Sequence, residues 1–147
     1  MQARTKKLEP VVRHVDKNEQ EAMQAVAFSQ QQLRMQEEIL QKLYQYKDEY
    51  TSGQNVSGQV AYGAVQLQEF NRFLMQLDDT IKKQHETVKM AAHEVEVKRQ
   101  KWKDQRSRAQ AMHKVVDRLH ASEQHQVQVA EQKIMDEIAL RGGIKNS

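Results

Sequence analysis

The chain has 147 residues, with 23 Lys and Arg against 20 Asp and Glu, no cysteine, one proline and five glycines. The lack of cysteine excludes a disulfide framework and a thiolate metal site, and the aromatic content of 5% argues against an ordinary compact core. The residues that dominate the sequence, which are Gln, Ala, Glu, Lys, Arg and Leu, are typical of long helices.

Membrane and secretory signals are not evident in the sequence. No apolar run approaches the roughly 20 residues that a membrane span needs. The N-terminal MQARTKKLEPVV has basic residues but no apolar region behind them, so it does not read as a secretory signal. Because the absence of cysteine also fits a reducing compartment, we expect a cytosolic protein.

The first predicted element is a helix over residues 5–51. Its one proline, Pro10, falls near the start, where we expect the first turn to tolerate it. A heptad pattern is present but is interrupted by polar residues. The apolar positions are Val12, Val15, Ala22, Val26, Leu33, Leu40, Leu43 and Tyr50, and the polar ones are Glu19, Ser29, Gln36 and Lys47.

A loop is predicted over residues 52–64, because three glycines stand among small polar residues in TSGQNVSGQVAYG. Aromatic residues lie on both sides of this loop, with Tyr46 and Tyr50 before it and Phe70 and Phe73 after it. We expect these four rings to pack across the turn and to hold the register of the helices as a hairpin lock.

The second predicted helix covers residues 65–141, followed by a tail at 142–147. One series of positions seven residues apart is apolar throughout: Leu67, Leu74, Ile81, Val88, Val95, Trp102, Ala109 and Val116. The positions three residues further on are apolar in five of eight cases: Phe70, Leu77, Gln84, Ala91, Lys98, Gln105, Met112 and Leu119. Such a sustained repeat is typical of a left-handed coiled-coil seam.

These elements predict an all-α fold, in which residues 1–147 form a single domain. Two long helices form an antiparallel coiled-coil hairpin, and the second helix is longer and overhangs at its C-terminal end. At 1.5 Å per residue the helices measure roughly 70 Å and about 115 Å. If residue i faces approximately residue 116 minus i, the first helix ends opposite about residue 111.

The last 25 to 30 residues of the second helix, roughly counted at 1.5 Å per residue, then have no partner within the chain. Beyond Leu119 the heptad changes phase, and the apolar residues of this stretch are Val127, Ala130, Ile134 and Ile138. An apolar stripe without a partner indicates an interaction surface. Fraying or self-association of this end is the alternative.

Two runs of residues beside the predicted loop carry a family resemblance. LYQYKDEY at residues 43–50 has the pattern L-x-x-Y-x-x-E-Y, and LQEFNRFLMQLDDTI at residues 67–81 contains F-x-x-F-L-x-x-L. The chain resembles the FliJ family of flagellar export proteins over nearly its whole length, and these two runs are the specific part of the resemblance.

The resemblance implies a non-enzymatic, stalk-like component of the bacterial flagellar type III export apparatus, with links to motility and chemotaxis. Its joined terminal ends would bind the hexameric export ATPase ring, which assigns the ring contact to Val127, Ala130, Ile134 and Ile138. Another surface would bind the cytoplasmic linker of the export gate, and the protein would support export chaperones. It would lie in the cytoplasm, peripherally on the cytoplasmic face of the cell membrane.

The family's gate contact corresponds to Phe73, Leu77, Thr80 and Gln84. The chain departs from the family pattern at two of these positions. Thr80 replaces a small apolar residue, and Gln84 stands where the family has histidine, with His85 one place later. Either Gln84 replaces the histidine as a hydrogen-bonding group, or the contact shifts to His85.

Catalytic, cofactor and metal sites are not predicted. Carboxylate pairs such as Asp78 and Asp79 are adjacent in sequence and point about 100° apart on a helix, so they cannot share one reacting group. His113 with Asp117, and His120 with Glu123, would give a zinc ion only two ligands from one helix. We expect no enzyme, no cofactor and no metal.

A basic stretch, KRQKWKDQRSR at residues 98–108, has six basic residues and one acidic residue. Interleaved with Trp102 it could follow a nucleic acid backbone, but Trp102 occupies the seam. An acidic ring lumen or anionic lipid headgroups suit the same charge better, and we expect no nucleic acid. Two alternatives to the export role stay open: a generic coiled-coil scaffold or injectisome stalk, and a basic nucleic-acid-binding helical protein.

Overall fold

Two helices make up the computed structural model, which describes residues 3–57 and 63–145. They are α1 (Ala3–Ser57) and α2 (Ala64–Lys145). They pack against each other, α2 is the longer, and the described residues contain no strand. The predicted fold class is confirmed.

The ends of both helices lie beyond the predicted ones. α1 continues to Ser57, so the start of the predicted loop is helical, and residues 58–62 lie outside the described residues. α2 continues through Gly142 and Gly143, which keep negative φ angles, although we expected a stop there. A glycine commonly ends a helix by adopting the left-handed conformation, which neither of these does, and inside a helix it costs roughly 1 kcal/mol.

Pro10 does not lie in a first turn. Because α1 begins at Ala3, Pro10 is inside the helix. There it removes one backbone hydrogen bond and its ring crowds the carbonyl of Lys6, four residues earlier. The expectation that a first turn accommodates Pro10 was therefore wrong.

The seam of α2 follows the predicted heptad. Every predicted position from Phe70 to Leu119 is buried or partly buried, and Leu77, Ile81, Val95 and Ala109 are the most buried. Leu67 is the exception, with 52% of its surface exposed. It lies close to the end of the pairing, where α1 stops at Ser57.

The seam of α1 also keeps its heptad through the polar interruptions. Glu19, Gln36 and Lys47 are partly buried and Ser29 is buried. The Ser29 hydroxyl donates to the Val26 carbonyl at 2.8 Å. A hydroxyl satisfied in this way can occupy a seam position at little cost, because no polar group is left unpaired.

The chain divides into two compact units. Unit 1 comprises Met1–Glu21 with Lys103–Ser147, and unit 2 comprises Ala22–Trp102. Within each unit, a stretch of α1 packs antiparallel against a stretch of α2. That residues 1–147 form a single domain stays a prediction.

The register of the helices differs from the predicted one. In unit 2 the rings of Tyr50 and Phe70 lie 5.1 Å apart. The numbers of these two facing residues add to 120, whereas the predicted register makes the numbers of facing residues add to approximately 116. In unit 1 Thr5 contacts Glu123 at 2.8 Å, so residue 5 faces residue 123 rather than 111. The predicted register was wrong, in part because α1 ends at Ser57 and α2 begins at Ala64, whereas the predicted ends were residues 51 and 65.

Candidate interaction surfaces

The end of α2 is unpaired in unit 1. Glu123 is its last buried residue, and every residue from 124 to 143 is exposed. We call residues 124–143 the overhang. It begins later than the predicted register implied, because α1 reaches as far as Glu123.

An apolar stripe runs along one side of the overhang. Its members recur every three or four residues, which places them on one helical face. They are Val127, Ala130, Ile134 and Ile138, and the three larger ones are each more than half exposed. The stripe assigned to the ATPase ring is therefore available to a partner.

Charged residues border this stripe on both sides. Glu131 precedes Ile134 by three residues and Glu137 follows it by three, so the two carboxylates flank the stripe. Within the described ranges, neither glutamate forms an ion pair. Met135 and Leu140 are equally exposed but lie off the stripe.

A partly buried polar contact marks the point where pairing ends. Thr5 Oγ1 donates to Glu123 Oε2 at 2.8 Å. The second carboxylate oxygen, Oε1, is buried and has no hydrogen-bond partner among the described residues. Leaving a buried acceptor unpaired is unfavourable, so Glu123 is a weak point in the seam.

Four aromatic rings lie together in unit 2, near the end of α1 and the start of α2. Tyr50 is the central ring, with centroids 5.1 Å from Phe70 and 4.5 Å from Phe73. Tyr46 lies 6.1 Å from Phe73 and 6.5 Å from Tyr50. These are favourable distances for aromatic packing. That the cluster fixes the register stays a prediction.

One side of unit 2 displays a broad surface that we call the apolar face. On α1 four exposed side chains lie on one side because their separations are 7, 4 and 7 residues. They are Phe28, Met35, Ile39 and Tyr46. On α2 Phe73 touches Tyr46. Thr80 and Thr87 follow Phe73 at steps of seven residues, and Met90 lies three residues beyond Thr87, which keeps all of them on the same side. The apolar face consists of Phe28, Met35, Ile39 and Tyr46 of α1 and Phe73, Thr80, Thr87 and Met90 of α2.

The four residues assigned to the gate divide between this face and the seam. Phe73 and Thr80 lie on the apolar face, and the Thr80 hydroxyl is satisfied by the Gln76 carbonyl at 2.9 Å. Leu77 is only 7% exposed. Gln84 is partly buried and donates to Oε1 of Gln36 at 2.8 Å. Leu77 and Gln84 therefore support the face from behind.

The opposite side of unit 2 is bridged by polar contacts. The Tyr44 and His85 rings meet edge to face at 5.7 Å and share a hydrogen bond. Lys47 Nζ lies 2.7 Å from Asp78 Oδ1, and this hydrogen bond raises the pKa of Lys47. His85 thus lies away from the apolar face.

The basic stretch at residues 98–108 is partly engaged within the coiled coil. Trp102 is partly buried at its predicted seam position. Lys98 is paired with Glu94 at 3.4 Å. Over the described ranges, no three His, Asp or Glu side chains come close enough to hold a metal ion, and neither helix has a segment long and apolar enough to cross a membrane.

The fold and these surfaces define a class, that of two-helix antiparallel coiled coils whose second helix extends beyond the pairing. Residues 5–147 match the family described as Flagellar FliJ protein, so the chain belongs to the FliJ family. It is a flagellar export-related coiled-coil protein, in a family of non-enzymatic structural and chaperone-like components. No curated protein and no solved structure matches the chain.

Sequence reasoning missed most of the apolar face. Phe28, Met35 and Met90 lie outside both heptad seams, and a search for seams passes over them. The signal was present in the spacing of Phe28, Met35, Ile39 and Tyr46, which repeats at multiples of the helical turn.

Proposed function

We propose that the protein is a stalk-like coiled coil of the flagellar type III export apparatus that binds the export ATPase ring through the overhang. The observation that carries this proposal is the exposed stripe of Val127, Ala130, Ile134 and Ile138 on a helix without a partner in its unit. Contiguous apolar surface on a helix is characteristic of helix-in-groove recognition.

The export gate's cytoplasmic linker binds the apolar face in this proposal. Support comes from the position of Phe73 and Thr80 on that face and from the exposure of Ile39 beside them. Leu77 and Gln84 act indirectly, by holding the seam behind the contact. His85 is not a substitute for Gln84, because it faces the side bridged by Tyr44.

The remaining parts of the proposal concern location and cargo. The protein is cytoplasmic and reaches the cytoplasmic face of the cell membrane through the export apparatus, and it supports export chaperones. Exposed basic residues of α2, such as Lys101, Lys103 and Arg108, suit an acidic surface of the ATPase ring.

A generic scaffold or injectisome stalk is the competing function. A pull-down with the isolated export ATPase and the gate's cytoplasmic domain separates the two. We expect both to be retained, with Ile134→Ser/Ile138→Ser losing the ATPase alone and Thr80→Asp losing the gate domain alone. Met135→Ser/Leu140→Ser is the matched control, because it removes equally exposed apolar residues from off the stripe. Retention of neither protein would contradict the proposal.

A further inference from the structure

The overhang and the apolar face are complementary to each other. We propose that the overhang of one copy of this chain docks on the apolar face of unit 2 of a second copy. The inference rests on the length, the apolar content and the charges of the two surfaces.

The apolar parts agree in length. The stripe of the overhang runs over residues 127–138, and the closely spaced part of the face on α1 runs from Met35 to Tyr46. Each spans eleven residue steps, which is about 17 Å along a helix. On α2, Thr80, Thr87 and Met90 provide the second wall. The overhang of a second copy can therefore lie as a third helix on the face, in contact with both α1 and α2 along this whole length.

The rims of the face carry positive charge. Lys42 lies between Ile39 and Tyr46 on α1, and Lys83 lies between Thr80 and Thr87 on α2. Their residue numbers add to 125, as do those of Lys47 and Asp78, which are paired across the helices of the same unit, so the two lysines lie opposite each other across the face. No ion pair forms at Lys42 within the described ranges, and Lys83 has an exposed pair with Asp79 at 3.1 Å, which contributes little.

The overhang carries the opposite charge in the matching place. Glu131 and Glu137 border its stripe on the two sides, so each can meet one lysine when the stripe lies on the face. They are about 9 Å apart along the helix, a spacing that extended lysine and glutamate side chains cover. Apolar contact with two flanking ion pairs is the arrangement found in helix-in-groove complexes.

This contact is heterologous, because it joins two different surfaces. Two copies joined by one such contact keep one free overhang and one free face, so further copies can add. If the proposed function is correct, self-association also covers the surfaces for the ATPase ring and the gate linker. The self-association itself does not depend on that function.

Charge reversal in the purified chain tests the proposal. By sedimentation velocity, the average mass of the wild-type protein should rise with concentration and fall with added NaCl. Lys42→Glu/Lys83→Glu and Glu131→Lys/Glu137→Lys should each weaken self-association about tenfold. An equimolar mixture of the two variants should restore association, because each supplies the surface that the other has lost.

Arg34→Glu/Lys82→Glu provides the matched control, since it makes the same charge change on exposed residues of unit 2 away from the face. Circular dichroism establishes that all variants remain helical. A wild-type chain that stays monomeric at every concentration overturns the proposal. So does a mixture that associates no better than either variant alone. Neither result bears on the ATPase or gate contacts, which are measured with other proteins.

Discussion

Gln84 donates two hydrogen bonds across the seam of unit 2 to Gln36, one to its backbone carbonyl at 2.9 Å and one to Oε1 at 2.8 Å. Both side chains occupy seam positions that apolar residues would otherwise fill. A polar layer of this kind favours one register over others, at a cost in stability.

Replacing one glutamine of this layer should lower the free energy of unfolding more than replacing both. Gln84→Leu leaves the Gln36 amide without its partner and should lower the free energy of unfolding by about 1 kcal/mol. Gln36→Leu/Gln84→Leu should be at least as stable as the wild type, because two apolar groups then pack together. Urea denaturation of both single variants and the double variant measures the coupling. Additive effects would show that the two glutamines do not interact.

The aromatic cluster should contribute more to stability than exposed rings do. Phe70→Ala removes a partly buried ring stacked on Tyr50 and should cost about 2–3 kcal/mol. Phe28→Ala is the matched control, because Phe28 is 63% exposed and should change stability by less than about 0.5 kcal/mol. Thermal unfolding of the two variants compares them directly. Equal losses would contradict the role of the cluster.

The contact between Thr5 and Glu123 predicts opposite effects of two substitutions. Thr5→Ala removes the only hydrogen bond that the described residues give to Glu123, and it should cost about 1–3 kcal/mol. Glu123→Leu removes a buried carboxylate with an unpaired oxygen and should stabilise unit 1 by about 1 kcal/mol or more. Amide hydrogen exchange in residues 5–21 is the readout. Faster exchange in Glu123→Leu would show that the carboxylate is stabilising.

The contact between Lys47 and Asp78 predicts a contribution to the stability of the protein that depends on pH only under alkaline conditions. The hydrogen bond to Asp78 raises the pKa of Lys47 above its ordinary value of 10.5. Because the folded-state pKa is the higher one, the stabilisation is complete below 10.5 and is lost as pH rises through the folded-state value. The difference in unfolding midpoint between wild type and Lys47→Met should stay constant from about pH 6 to 9 and shrink above 10.5. A change in that difference near neutral pH would contradict this assignment.

The heptad of α2 was predictable from sequence because one apolar residue recurs every seven positions over a long helix, and burial follows it from Phe70 to Leu119. The end of α1 was not predictable from its glycines, because Gly53 stays helical. The predicted register was wrong in part because the end of α1 had been placed too early. The α1 side of the apolar face is visible in the spacing of its residues along that helix, but its continuation onto α2 could not be derived from either helix alone, since it depends on which residues pair, as Tyr46 does with Phe73.

The central claim is that the overhang binds the export ATPase ring. Stimulation of ATP hydrolysis and ring assembly by the full chain, compared with Ile134→Ser/Ile138→Ser and with the control Met135→Ser/Leu140→Ser, tests it most directly. We expect the stripe variant to lose stimulation at least tenfold, and the control to retain it, as expected for residues at the centre of an interface. Undiminished stimulation by the stripe variant, or by a chain that lacks residues 124–147, would contradict the claim.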